Sequence, residues 1–96
     1  MSRPTLFSFT LYVAGDTQNS VQAIANLNAI CAEHLAGRHE TEIVDVFREP
    51  ERALTDGILM TPTLMKLSPA PVRRIIGTLS DRATVLQALG LDTVQA

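Results

Sequence analysis

From Leu6 to Val13 the chain alternates apolar and polar or small positions, with Phe7, Phe9 and Leu11 sharing one side, the two-residue period of a half-buried strand. Gly15-Asp16-Thr17 then supplies turn chemistry, and Asn19 or Ser20 offers a side-chain oxygen to cap orphan amides. The period next becomes helical: Val21, Ile24, Leu27, Cys31 and Leu35 recur at three- and four-residue spacing, and Gly37 closes the helix. Thr41 to Phe47 is short and β-branched, which predicts a largely buried second strand. A strand, a long helix and a strand imply a parallel pair joined by a right-handed crossover.

The second half is punctuated by proline and glycine. Glu49-Pro50-Glu51 predicts a helix start, with proline where its missing amide costs nothing and acids at the positive end of the helix dipole. This helix is short, reaching Asp56 before Gly57. Met60 to Leu67 predicts an extended run with Pro62 near its entrance, where a strand tolerates proline. Ser68-Pro69-Ala70-Pro71 turns the chain into a partner strand, Val72 to Ile76, ended by Gly77. Ser80 or Asp81 caps a last helix through Val85, Leu86 and Leu89, stopped by Gly90. The order is βαβαββα in one α/β domain spanning residues 1–96, without repeat or linker.

Composition narrows what such a domain does. Its 96 residues support one modest core, and with 46% apolar but only 4% aromatic residues that core is aliphatic. A net charge of −2 and few aromatics argue against nucleic acid, which requires a basic footprint and stacking platforms. Cys31 is the only cysteine, so neither an intrachain disulfide nor a CxxC pair can form, which suits the cytosol. Met1-Ser2-Arg3-Pro4 does not open a signal sequence, and no run of eighteen apolar residues predicts a membrane span.

Candidate chemistry is sparse. Cys31 and His34 lie three residues apart on the first helix, with His39 a remote third, but two ligands make no metal site; a small core cysteine and surface histidines are the plainer reading. Asp45, flanked by valines, reads as a hydrogen-bonded strand-end residue in preference to a buried proton carrier. Tyr12, the sole tyrosine, suits a core position with its hydroxyl at the edge as well as an interface. Arg73 and Arg74 are adjacent on a strand and point to opposite faces, so at most one covers a given interface. Neither GxxxxGK[ST] nor GxGxxG occurs, and no catalytic constellation, metal set or cofactor cradle emerges.

The element order, with Thr61-Pro62-Thr63 entering the hairpin, resembles the thioredoxin fold, which implies a cis peptide before Pro62. Where thioredoxins carry CxxC, this chain has Ala14-Gly15-Asp16-Thr17-Gln18-Asn19-Ser20, with no thiol for dithiol chemistry. From Phe9 to Leu91 the chain resembles the KaiB family in Leu11-Tyr12-Val13-Ala14-Gly15, Asn19-Ser20, Val44-Asp45-Val46, Thr61-Pro62-Thr63-Leu64 and Pro71-Val72-Arg73-Arg74-Ile75-Ile76-Gly77. The last run is the most specific.

That resemblance implies a non-enzymatic module that docks on a hexameric KaiC-type ATPase ring and switches between a thioredoxin-like monomer and a self-associated tetramer or dimer with a rearranged C-terminal half. Pro62, Pro69 and Pro71, with Gly77 and Gly90, are the positions at which such a switch finds backbone freedom. Ala88 replaces a frequent family glycine and favours the final helix. Glu40 and Glu42 stand where many members are basic, which weighs against a KaiA-like third partner. Gln22 and Gly57 also stand where charges are common in the clock proteins, pointing to a divergent paralogue in a clock or a timing and stress pathway. The expected docking surface comprises Gly15, Asn19, Glu51, Gly57 and Arg74. The rivals are a sensor domain like that of the KaiC-binding histidine kinase, and a monothiol redox enzyme, which would need a thiol beside Pro62.

Overall fold

The computed structural model describes residues 6–91. Strand β1 (Phe7–Val13) occupies an interior position of a four-stranded sheet and pairs on both sides. On one side it runs parallel to β2 (His39–Asp45), with Tyr12 opposite Val44; on the other it is antiparallel to β3 (Thr63–Ser68), with Tyr12 opposite Thr63. Strand β4 (Arg73–Ile76) completes the order β2-β1-β3-β4 by pairing antiparallel with β3.

Alternation along β1 creates two cores. Phe7, Phe9, Leu11 and Val13 pack with Leu64 against Ala23, Leu27, Ile30 and Cys31 of α1 (Gln18–His34), and Val85 and Leu89 of α3 (Arg82–Leu89) join the same cluster. Tyr12, on the opposite face, joins Val44, Met65 and Ala53 of the short α2 (Pro50–Thr55). The βαβαββα order and mixed α/β domain thus follow the sequence pattern.

Two local expectations change. Helix α1 starts at Gln18 and is capped by Thr17, whose side chain accepts a hydrogen bond from the Ser20 amide at 3.3 Å. Neither Asn19 nor Ser20 is the cap. Ser20 is buried and serves from inside the turn: its Oγ accepts from the Ala14 amide at 3.1 Å and lies 2.8 Å from the Thr17 hydroxyl. The second strand is shifted to His39–Asp45 and is not largely buried; Val44 alone among its residues is buried. Its β-branched composition suggested an interior strand, but it takes the sheet edge, where α2 covers little more than Val44.

The chain ends its helices as its turn residues dictate. Asp81 caps α3 by accepting from the Thr84 amide at 3.3 Å, and Gly90 closes it in the left-handed region at φ 77°. Pro50 sits in the first turn of α2, and Gly57 follows the helix at φ 68°. The peptides preceding Pro62, Pro69 and Pro71 are cis.

Candidate docking surface

The expected surface residues fall at two neighbouring places. At the C-terminal ends of the parallel strands, Gly15 takes φ 57° beside the Phe47 ring, and the Asp45 carboxylate ties the two loops together. Its Oδ1 accepts from the Gly15 amide at 3.2 Å and the Phe47 amide at 2.9 Å. Asp45 is therefore a strand-end brace, and its oxygen is occupied by backbone amides. Asn19 is exposed on the first turn of α1.

The second place is α2 and its exit. Ala53 buries the inner side of the helix against Tyr12, while Glu51 and Leu54 face outward. Arg52 binds Glu42 of β2 through both terminal nitrogens, at 2.6 and 2.8 Å, which fixes the helix to the sheet edge. Its partner Glu42 is held below the usual carboxylate range chiefly by that hydrogen bond.

Three elements converge on the end of α2. The Tyr12 hydroxyl donates to the Asp56 carboxylate from the central strand. Arg74 reaches across from β4 and donates to the backbone carbonyls of Asp56 and, at 3.2 Å, Gly57. A cation placed on the last carbonyls of a helix satisfies orphan acceptors and opposes the dipole. Arg74 thus lies on the expected surface, beside Gly57, but its guanidinium is turned to the helix end.

Four large apolar side chains ring this junction and were not foreseen from the sequence: Leu54 is 79% exposed, Leu59 94%, Met60 60% and Ile76 61%. Leu59, Met60 and Ile76 line a shallow hollow of about 230 Å³ with Gly57, Ile58, Thr63 and Arg74. The signal was present in Leu59-Met60, two apolar residues in the loop before Pro62, but in one dimension Met60 reads as the start of the extended run to Leu67.

The remaining marked positions scatter. Pro62 is buried at the head of β3, and its carbonyl accepts from the Gly77 amide at 2.9 Å. Pro69 and Pro71 lie in the β3–β4 turn, at the other end of that strand, while Ala88 and Gly90 belong to α3 and its cap. Cys31 is buried in the main core, and burial pushes its thiol upward. It lies in the last turn of α1, far from the Ala14–Ser20 turn. Among the described residues no three metal-ligating side chains converge, and no helix is long and apolar enough to cross a membrane.

Comparison with known proteins gives this geometry its setting. A circadian clock oscillator protein KaiB from Cyanothece sp. is 51% identical over 82 residues, covering 85% of this chain and 76% of its own. Circadian clock protein KaiB3 of Synechocystis sp. is 48% identical over 84 residues, covering 88% and 80%. In fold, the chain resembles the N-terminal domain of Synechococcus elongatus SasA, with TM-score 0.74 at 17% identity over 100% of this chain and 94% of that one. It also resembles mitochondrial thioredoxin 3 of Saccharomyces cerevisiae, with TM-score 0.72 at 15% identity over 91% and 80%. The last two likenesses establish a thioredoxin-like fold; the sensor-domain rival keeps only that, since its identity is a third of the KaiB value. With the KaiB domain matching residues 10–91 and half of the positions shared with curated clock proteins, the chain belongs to the KaiB family.

Proposed function

We propose that this protein is a non-enzymatic, cytoplasmic docking module that binds a KaiC-type ATPase ring in its thioredoxin-like form. The observation that carries the reading is the pairing of 51% identity to KaiB clock oscillator proteins with a thioredoxin-like fold whose Ala14–Ser20 turn has no thiol. A thiolate is required for disulfide exchange, and the sole thiol is buried in α1, which disfavours the redox rival. The docking surface comprises the Gly15 and Asn19 turn, Glu51 of α2, and the Gly57–Arg74 junction.

Selectivity would come from population shift. If a self-associated form with a rearranged C-terminal half exists, a ring that binds only the thioredoxin-like fold draws the chain to it by its differential affinity. Pro62, Pro69, Pro71, Gly77 and Gly90 would absorb the backbone change. A KaiA-like third partner is not part of this reading, because Glu40 and Glu42 make the outer strand acidic.

Size-exclusion chromatography with light scattering tests it, using the protein alone and with ATP-loaded KaiC-type rings from the same cell. Co-elution with the ring is expected. Absence of binding to every such ring would remove the KaiC assignment.

A further inference from the structure

We infer that Lys66 is a site for carbon dioxide, its amine taking up CO2 as a carbamate that pairs with Arg73. This stands apart from the docking reading and needs no partner protein. Lys66 is the only lysine of the chain. It lies on β3, where the strand register sets it opposite Phe9 of β1 on one side and Arg73 of β4 on the other. Only 4% of the residue is exposed, and its Nζ lies 6.0 Å from the centre of the Phe7 ring.

A buried ammonium calls for a counter-ion, and like charges directly opposite on paired strands destabilise the pair. Among the described residues Lys66 forms no ion pair, and its cross-strand neighbour is a second cation. The other charged groups of this face supply no anion. Glu33 of α1 binds Arg82 at 2.6 Å, Arg38 donates to the His34 carbonyl, β2 sets His39 opposite Phe7, and α3 carries no charge from Ala83 to Leu89. The Phe7 ring attracts the ammonium, but 6.0 Å is the outer limit of a cation–π contact. Burial, then Arg73, lowers the pKa of the amine below the ordinary lysine value. Loss of the proton relieves both penalties and leaves a nucleophile.

CO2 is small and uncharged, as an electrophile must be to reach an amine so nearly covered. The nitrogen is not sealed: among the described residues no fully buried side-chain nitrogen or oxygen lacks a hydrogen-bond partner, so the unpartnered Nζ keeps contact with water. The lone pair of the uncharged amine attacks the carbon of CO2, one C=O electron pair moves to oxygen, and one N–H proton passes to water. The product is an N-carboxylate. A cation opposite a cation thereby becomes an ion pair, and the planar guanidinium of Arg73 matches a carboxylate in shape. The adduct ties β3 to β4.

The full chain is incubated with carbon-13-labelled bicarbonate at mildly alkaline pH. Carbamate is read by carbon-13 NMR and, after trapping with triethyloxonium, by peptide mass spectrometry, which separates Lys66 from the α-amine. The wild type should carry a carbamate on Lys66. Lys66→Arg, which keeps the charge, should carry none, and Arg73→Gln at least about threefold less than the wild type; circular dichroism checks that both are folded. Amide exchange in β4 should slow about threefold under bicarbonate relative to sodium chloride of equal ionic strength, in the wild type and not in Lys66→Arg. Label on the α-amine alone overturns the inference, and the wild type by itself decides that. Equal labelling of the wild type and Arg73→Gln overturns the pairing with Arg73.

Discussion

The hydroxyl of Tyr12 donates a hydrogen bond to the carboxylate of Asp56, joining the central strand to the end of a helix 44 residues later. Asp56 sits where a negative charge is disfavoured by the helix dipole, and the phenol, together with Arg74 on the adjoining carbonyls, offsets it. The proposed docking surface is built on this junction, so its rigidity depends on a side chain that lies wholly inside the protein.

Tyr12→Phe should lower unfolding stability by about 2 kcal/mol, the order of a hydrogen bond to a charged group, with little change in packing. Urea denaturation followed by circular dichroism measures it. A variant as stable as the wild type would mean that water replaces the phenol at no cost.

Burial, then the hydrogen bond to Asp56, pushes the Tyr12 phenol up from 10.0 to about 12. A raised folded value favours the protonated form, so this stability is fully present below pH 10 and is lost between pH 10 and about 12. Because Tyr12 is the only tyrosine, phenolate absorbance near alkaline pH reports it without overlap. Ionisation at pH 10 in the folded protein would contradict the buried hydrogen bond.

Arg74→Lys keeps the charge but loses the planar fork that reaches two carbonyls. Hydrogen exchange should accelerate selectively in residues 50–57, with a stability loss of about 1 kcal/mol. Equal acceleration across α3 would point to general destabilisation instead.

Ala88→Gly removes a good helix former from a half-buried position of α3. It should cost the thioredoxin-like fold about 1 kcal/mol through backbone entropy. If the self-associated form exists, its fraction by light scattering should rise and ring binding should slow; a variant unchanged in both would remove Ala88 from the switch.

Cys31 should resist a thiol reagent in the folded state and react fully in urea, because burial both blocks access and disfavours the thiolate. Rapid labelling under native conditions would show that α1 opens far more readily than its packing implies.

The sequence by itself determined the seven elements, their order, Pro50 at a helix start, Gly90 at the end of the last helix, and the family, and narrowed that helix's cap to Ser80 or Asp81. The elements rest on periodicity, capping and turn chemistry, all of which act within a few residues, and the family on the resemblance of runs such as Pro71 to Gly77. It misjudged β2 because β-branched composition is common to buried and edge strands, and only the order β2-β1-β3-β4 decides which one this is. It named Arg74 and Gly57 as surface residues without showing that one holds the backbone carbonyl of the other. It read Met60 as the start of an extended run, whereas β3 begins at Thr63 and leaves Leu59 and Met60 exposed beside the exit of α2. Such features depend on how α2 and β4 meet across the sheet, and pairings between residues 17 to 44 positions apart have no local signature from which to be inferred.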